Sequence, residues 1–344
     1  MIQKDIIIVG AGAAGIGMGI VLKKMGLNFQ ILEQAKVGES FRKWPSGTRF
    51  ISPSFTGNFF GSPDLNAICP DTSPAYLLET QHPSGEQYAA YLESLAEFYE
   101  LPIAEKTKVK NITKKDQIFI IQTNKGDYQA KAVIWAGGEY QYPKTKVCEG
   151  ADLAIHNTKV DNWEDLKGDT FAILGGYESG FDTAVQLAKL NKKSVIFDSF
   201  NHLSEEKSDA SYALSPYTKD RYRQYQEYIT IKPHTRIQKI QQQGSMCRLI
   251  SESNEEFEFA TQPILATGFL NSLKQVKEYF DFTDGSPELT DSDESTKVEN
   301  FFLIGPQVKH DQVIFCFIYK FRQRFGVVAK AIAEKLQLGD KQAV

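Results

Sequence analysis

The sequence predicts an α/β chain that carries two strand–glycine turn–helix–strand units, one near its start and one in its middle. Two stretches carry this prediction: "KDIIIVGAGAAGIGMGIVLKKMGLNFQILEQ" near the start, and residues 169–198, which open "DTFAILGGYESGFDTA". In each, a short apolar run meets a glycine cluster, and helical spacing follows before a second apolar run. A third observation supports the duplication: short alternating strands follow each unit, at 106–135 and at 236–260.

The 344 residues suffice for two domains with separate cores. A hydrophobic share of 42% and a charged share of 24% are those of an ordinary globular protein. A net charge of −4 argues against nucleic acid, whose phosphates want a basic face. The longest apolar run, "VIFCFIY", falls far short of the roughly 20 residues a membrane span needs. The first strand begins directly after Asp5, leaving no room for a cleaved leader, so a cytoplasmic location is expected. Cys69, Cys148, Cys247 and Cys316 include no C-x-x-C, and the histidines form no H-E-x-x-H pair. Neither a redox dithiol nor a metal site is therefore expected.

"VGAGAAG" supplies Gly10, Gly12 and Gly15, a full G-x-G-x-x-G between a strand and a helix. Gly10 permits the tight turn, Gly12 lets backbone amides approach a pyrophosphate, and Gly15 lets the helix sit close to the sheet. Ala13 and Ala14 open the helix, whose positive end faces the same anion. Glu33 ends the next strand, 23 positions after Gly10, where a ribose hydroxyl pair wants a carboxylate. The unit reads as a Rossmann-like dinucleotide-binding domain.

Beyond it, "PSGEQYAAYLESLAEFYE" predicts an amphipathic helix with Tyr88, Tyr91, Leu92, Leu95 and Tyr99 on one face and a Ser84–Gln87 capping box. "TKVKNI", "QIFIIQT" and "YQAKAVIWA" predict antiparallel strands, and "AVIWAGG" ends them in a small-residue turn at Ala136 and Gly137. The second glycine loop, "GGYESG", holds Gly175, Gly176, Tyr177, Glu178, Ser179 and Gly180, with Asp198 again 23 positions after the first glycine. Tyr177 stands where the middle glycine belongs. A dinucleotide held there is expected to sit farther out and more weakly, with Ser179 donating to phosphate. G-x-x-S-G is not the G-x-S-x-G elbow of serine hydrolases. Asp198 suits a free 2′-hydroxyl and hence NADH, while His202, Lys207, Arg221 and Arg223 are candidates for a 2′-phosphate. The choice between NADPH and NADH stays open. "PILATG" (263–268) is a second small-residue turn, residues 281–297 read as a solvated acidic loop or hairpin, and the chain closes with "NFFLIG" and a long helix from about Phe317.

These features together resemble the two-dinucleotide-domain flavoproteins. The resemblance implies two Rossmann-like dinucleotide-binding domains, with FAD in a discontinuous N-terminal one and NAD(P)H in an inserted one. The boundaries expected are 1–150 and 269–344 for FAD and 151–268 for the insertion. Cofactors are then FAD and NADPH or NADH. Gly305 ends the strand that approaches the flavin in that superfamily, and Gly305–Pro306 stands where the family has G-D. Gln34, Ser40, Trp44 and Val109 are further cofactor positions that the resemblance implies. "VGESFRKWPSGTRFISPSF" and "STKVENFFLIGPQVKHDQVIFCFIYKFRQRF" resemble the bacterial flavin-containing-monooxygenase-like flavoproteins. That likeness implies reduction of FAD by NAD(P)H and oxygenation of a small molecule through a flavin hydroperoxide, with the substrate and molecular oxygen as partners. Ser52, Ser54 and Asn58 are then polar candidates along the flavin, Ser52 and Asn58 with a catalytic role. "CEGADLAIHNTKVDNW" is similar to the family's F-x-G-x-x-x-H-x-x-x-W/Y, making His156 a candidate to orient the nicotinamide.

Two other readings stand beside this one. "EGADL" and the altered second loop also resemble bacillithiol-disulphide-reductase-like flavoproteins, which implies reduction of a disulphide or quinone, with Cys316 as the one thiol to test. The third is a non-enzymatic flavin-bound accessory of an ion-transport system. A homodimer is compatible with each.

Overall fold

The computed structural model describes residues 1–55 and 63–338. Among them two compact units are distinguished: Met1–Arg42, Pro53–Gln141 and Asn271–Val344 form one, and Lys43–Ser52 with Tyr142–Leu270 the other.

The first unit is built on a five-stranded sheet in the order Phe301–Leu303, Ala132–Trp135, Ile6–Val9, Phe29–Leu32, Ile103–Ala104. All four pairings are parallel. Ile6, Ile7 and Ile8 are wholly buried. A parallel strand is covered on both faces, so this segment is a continuous apolar run rather than an alternation. Helix α1 (Ala13–Lys24) covers the glycine turn. Short helices α2 (Glu39–Arg42) and α3 (Pro74–Leu78) precede α4 (Gly85–Phe98). The predicted capping box of α4 is present, and Tyr88, Tyr91, Leu92 and Leu95 are buried along its inner face. The strands Val109–Lys115, Ile118–Thr123 and Asp127–Ala130 pair antiparallel as a second layer, with Ile2–Gln3 parallel at its edge. Their inward residues share a core with Trp135, Tyr279 and Phe301.

The second unit repeats the plan. Its parallel sheet runs Ile229–Lys232, Lys193–Phe197, Thr170–Leu174, Ile264–Leu265, Ile155–His156. Helix α5 (Glu178–Lys189) follows its glycine turn, and α6 (Pro216–Tyr225) packs against α5. Ile237–Gln243, Met246–Ser251 and Glu256–Phe259 form the antiparallel meander. Each sheet thus has the glycine-loop strand at its centre and the strand after the meander beside it. The difference lies in the edge strand: the first unit takes it from late in the chain, the second from just before its own central strand.

Four expectations are corrected. The units change at 141/142 and 270/271, not at 150/151 and 268/269. The reason is an antiparallel contact between the crossing segments, with Pro143 bridged to Phe269, Leu270 N donating to Tyr142 O at 2.7 Å and Lys144 N to Gly268 O at 2.9 Å. Residues 43–52 also belong to the second unit. Trp163 Nε1 donates to Ser46 O (2.8 Å), Gln186 Nε2 to Gly47 O (2.9 Å) and Thr48 Oγ1 to Asp182 Oδ2 (2.7 Å). Finally, the closing helix is two helices, α7 (Ile318–Phe321) and α8 (Arg324–Lys335). The acidic stretch before them is not wholly solvated, because Asp293 and Glu294 are buried against Arg324 and Lys335.

Candidate cofactor cradles

The two glycine turns are built alike. Gly10 N donates to Leu32 O (2.8 Å) and Ala136 N to Val9 O (2.9 Å); Gly175 N donates to Phe197 O (3.0 Å) and Ala266 N to Leu174 O (2.8 Å). Gly10 has φ +108° and Gly175 φ +120°, where a side chain is strained, and a Cβ on either would press on the carbonyl of Ala136 or Ala266. A Cβ at Gly15 or Gly180 would collide with the carbonyl of Gly10 or Gly175, which is how closely each helix approaches its turn.

At the first turn, Gly12 caps α1 with extended backbone (φ −80°, ψ −169°), and a Cβ added there meets nothing within 4 Å. The first backbone bond of the helix is Ile16 N to Gly12 O, so the amides of Ala13, Ala14 and Gly15 precede it. No acidic residue lies in the first turn of α1. Gly305 (φ +102°) follows the edge strand and stands against the Ala14 methyl. Gly10, Gly12, Ala13, Ala14, Gly15, Ala136, Gly137 and Gly305 therefore gather at the carboxyl ends of three neighbouring strands. Glu33 is buried, its Oε2 accepting from Ala11 N (2.8 Å) and Oε1 from Ala35 N (2.7 Å). Burial raises its pKa above the usual carboxylate value despite those two amides. Open space over a helix N-terminus, free of competing carboxylates, fits a pyrophosphate.

The second turn departs from this in three ways. Tyr177 caps α5 with the same extended backbone (φ −113°, ψ −164°), so its side chain leaves in the direction that stays open at Gly12. Its hydroxyl donates to Ala213 O at 3.0 Å. Glu178 occupies the first turn of α5 and accepts from Ser215 N (2.5 Å) and Thr218 Oγ1 (2.5 Å), which fixes the start of α6. Burial raises its pKa, with the Thr218 hydrogen bond opposing. Asp198 is the correction here. Its carboxylate faces forward into residues 200–202, accepting from Phe200 N, His202 N and His202 Nδ1, and does not stand open to a ribose. Gly176 packs against the Asp198 side chain, and Ser179 is half-buried in the first turn of α5.

Other expected positions are dispersed. Gln34 is exposed and donates to Gln141 Oε1 (2.7 Å), Ser40 is exposed in α2, and Val109 starts its strand opposite Thr123. Trp44 lies in the second unit with its ring 5.0 Å from that of Phe50, and Ser52 lies in the same unit. Ser54 accepts from Asn66 Nδ2 (2.9 Å). Asn58 lies outside the described residues. His156 is 3% exposed: Nε2 donates to Gly268 O (3.2 Å) and Nδ1 accepts from Thr158 N (3.3 Å). Burial lowers its pKa, so it is a neutral ring bracing the crossing segment, and both nitrogens are occupied. Cys316 is exposed, while Cys69 and Cys247 are buried and Cys148 is half-buried with its thiol pKa raised by burial. His202, a position weighed only among the phosphate candidates, is the one brought against Tyr177. Among the described residues no helix is long and apolar enough to cross a membrane.

The profile of pyridine nucleotide-disulphide oxidoreductases matches residues 7–305. The chain belongs to that family. Membership in it makes FAD and NAD(P)H the implied cofactors of this fold. An uncharacterized oxidoreductase, CzcO of Bacillus velezensis, is 32% identical over 195 residues, covering 54% of this chain and 52% of CzcO. The chain thus spans about half the length of the CzcO relatives it matches. Bacillithiol disulfide reductase Bdr from Staphylococcus aureus superposes with a TM-score of 0.78 at 19% identity, covering 97% of this chain and 99% of its own. A flavin-containing monooxygenase from Stenotrophomonas maltophilia superposes with a TM-score of 0.72 at 17% identity, covering 98% and 100%. Both solved structures share the arrangement of two dinucleotide-binding domains.

Proposed function

We propose that this chain is an FAD-dependent oxidoreductase that consumes NAD(P)H and delivers the electrons directly to a diffusible acceptor. The observation that carries the reading is the duplication of one cradle in two units, the first open at Gly12 and the second covered at Tyr177. The open copy suits a resident cofactor. The covered copy suits a cofactor that comes and goes. In the first unit the amides of Ala13, Ala14 and Gly15 would hold the FAD pyrophosphate and Glu33 its ribose, with Gly305 leaving room beside α1. In the second unit the amides of Glu178 and Ser179 would meet the NAD(P)H pyrophosphate once the Tyr177 side chain moves aside, the Gly180 amide being bonded to Tyr177 O at 2.9 Å. FAD, when bound, supplies hydride acceptance and transfer to the acceptor.

The sequence holds no C-x-x-C, and only Cys316 of its four cysteines is exposed, so no protein dithiol is available to relay electrons. The acceptor is therefore expected to meet the flavin itself. We favour dioxygen together with a small molecule that becomes oxygenated, on the likeness to flavin-containing monooxygenases. A second reading, reduction of a low-molecular-weight disulphide, is favoured by the match to Bdr along nearly the whole of both chains.

Anaerobic reduction of the flavin-bound protein by NADPH and by NADH, followed by air with a soft-nucleophile substrate, separates them. Oxygenated product in step with NAD(P)H consumption supports oxygenation. Hydrogen peroxide alone in air, with turnover of a disulphide under argon, moves the assignment to the reductase. A polypeptide that takes up no FAD overturns both.

A further inference from the structure

The carboxyls of Glu33, Asp64, Glu178, Asp198, Asp293 and Glu294 are drawn out of solvent, and each accepts at least two hydrogen bonds. Glu139 is half-buried and accepts none among the described residues. No charged side chain from any element acts on it, so burial works against its charge unopposed. Its chain neighbours are Gly138 and Tyr140, neither of them charged. A carboxyl kept in this condition costs the fold stability, and such groups gather where chemistry needs a proton held.

The place of Glu139 is fixed by its turn. Strand Ala132–Trp135 ends against the first cradle: a Cβ on Gly10 would press on the Ala136 carbonyl, and one on Gly15 would come 3.6 Å from the Ala136 methyl. Glu139 follows three residues later, directly after Gly137 and Gly138. Gly137 O accepts from Gln141 Nε2 (3.0 Å), and Gly138 O from Gln307 Nε2 (2.6 Å) and Ser272 N (3.1 Å). Trp135 Nε1 donates to Ser272 Oγ at 2.9 Å, and Gln34 Nε2 to Gln141 Oε1 at 2.7 Å. The side chains that hold this turn are thus neutral, and they are committed to the main chain or to one another. The turn is braced from several parts of the first unit, yet none of the braces reaches the carboxyl.

We infer that Glu139 is the proton store of the first site: it takes up a proton as the flavin held there is reduced, and returns it when the flavin is reoxidised. This rests on the reading that the first cradle holds FAD. Hydride brings two electrons and one proton to a neutral ring and leaves that ring with a negative charge. A carboxylate nearby, with no cation or donor of the protein to answer it, adds a second, so a proton from solvent goes onto Glu139. Passing the hydride on reverses the step. A disulphide that ends as two thiols, or dioxygen that ends as hydrogen peroxide, takes the hydride and one further proton, the one Glu139 holds. Linkage makes the effect reciprocal: a protonated Glu139 leaves the flavin easier to reduce.

The midpoint potential of the bound flavin, followed against pH at an electrode, tests this without nicotinamide, acceptor or turnover. Between about pH 5 and 8 the wild type is expected to take up about one more proton per two electrons than Glu139→Gln does. The glutamine variant's potential should lie above that of the wild type at the alkaline end and converge with it in acid. Glu139→Asp keeps a carboxyl and should keep the steeper slope. Equal slopes for wild type and Glu139→Gln overturn the inference, because any second proton then lands on the flavin itself. Melting curves confirm that each variant is folded, and Glu139→Ala serves if the amide unfolds the chain. Where neither NADPH nor NADH reduces the flavin yet the slopes differ, the proposed activity fails and the proton store stands. Where NAD(P)H reduces the flavin and the slopes coincide, the proton store alone fails. A chain that takes up no FAD loses both.

Discussion

The Tyr177 hydroxyl donates a 3.0 Å hydrogen bond to the Ala213 carbonyl, tying the second glycine turn to the segment that leads into α6. The ring crosses the direction that at Gly12 is open, so a pyrophosphate approaching α5 must displace it. Breaking one such bond costs about 0.5–1.5 kcal/mol net. Tyr177→Gly is therefore expected to lower the NAD(P)H KM by roughly two- to tenfold with kcat little changed, and Tyr177→Phe to fall between. Steady-state kinetics checks this. A KM that rises in the glycine variant shows that the ring is a contact for the cofactor and not its obstacle.

Gly12 and Gly15 differ in what surrounds them, and two substitutions should separate binding from folding. A side chain at Gly12 adopts ordinary extended angles and meets no protein atom, so Gly12→Val should fold with an unchanged flavin-free melting temperature. It fills the space above the helix amides, so FAD affinity should fall at least about a hundredfold, as loss of several charge-assisted hydrogen bonds implies. Gly15→Ala drives a methyl into the Gly10 carbonyl and should yield little soluble protein. Flavin fluorescence on refilling, together with melting curves, reads both. A Gly12→Val protein that keeps its FAD would remove the first cradle from the proposal.

The glycine turns and the strands on either side of each were legible in the sequence because G-x-G-x-x-G and its spacing to a strand-end acid constrain the backbone itself, whereas the short edge strands Ile103–Ala104 and Ile155–His156 were not. What the acid does was not. Asp198 and Glu33 stand at the same distance from their first glycines, yet one caps residues 200–202 and the other the turn behind it. The available signal was local: Asp198 followed at the second and fourth positions by amides it can accept from, and by His202. His156 was a candidate to orient the nicotinamide, and its place in a strand was not legible because a two-residue edge strand pairing with Ile264–Leu265 leaves no periodic trace. Residues 43–52 were placed with the first unit by their position in the chain. Contacts to Trp163 and Gln186, more than a hundred residues later, place them in the second.

Asp293 is wholly buried, with Oδ1 accepting from Arg324 Nη2 (2.9 Å) and His310 Nε2 (2.5 Å), and Oδ2 from Arg324 Nε (3.0 Å). Its backbone is left-handed (φ +61°), a conformation asparagine tolerates equally. Asp293→Asn thus removes charge without changing backbone strain. Leaving the Arg324 guanidinium without its anion should cost about 3–5 kcal/mol in urea unfolding. Glu100→Gln, at an exposed pair with Lys23, should cost less than about 1 kcal/mol. Equal effects at the two sites would mean that the buried pair adds nothing beyond a surface one.

Glu139 follows the Gly137–Gly138 turn, and among the described residues it has neither hydrogen bond nor ion pair. Burial alone raises its pKa above 4.5. A carboxyl whose folded pKa is raised holds its proton more tightly in the native state, so its stabilisation is fully present below pH 4.5 and lost as pH climbs through the raised folded value. At neutral pH the ionised group is a liability that a neutral amide lacks. Glu139→Gln should raise the melting temperature of the flavin-free protein at pH 7 by roughly 1–3 °C. The gain should shrink towards zero as the buffer approaches pH 4.5. Melting curves for wild type and variant across that range check both the sign and the window. A gain that does not vary with pH would trace to packing rather than to titration of this carboxyl.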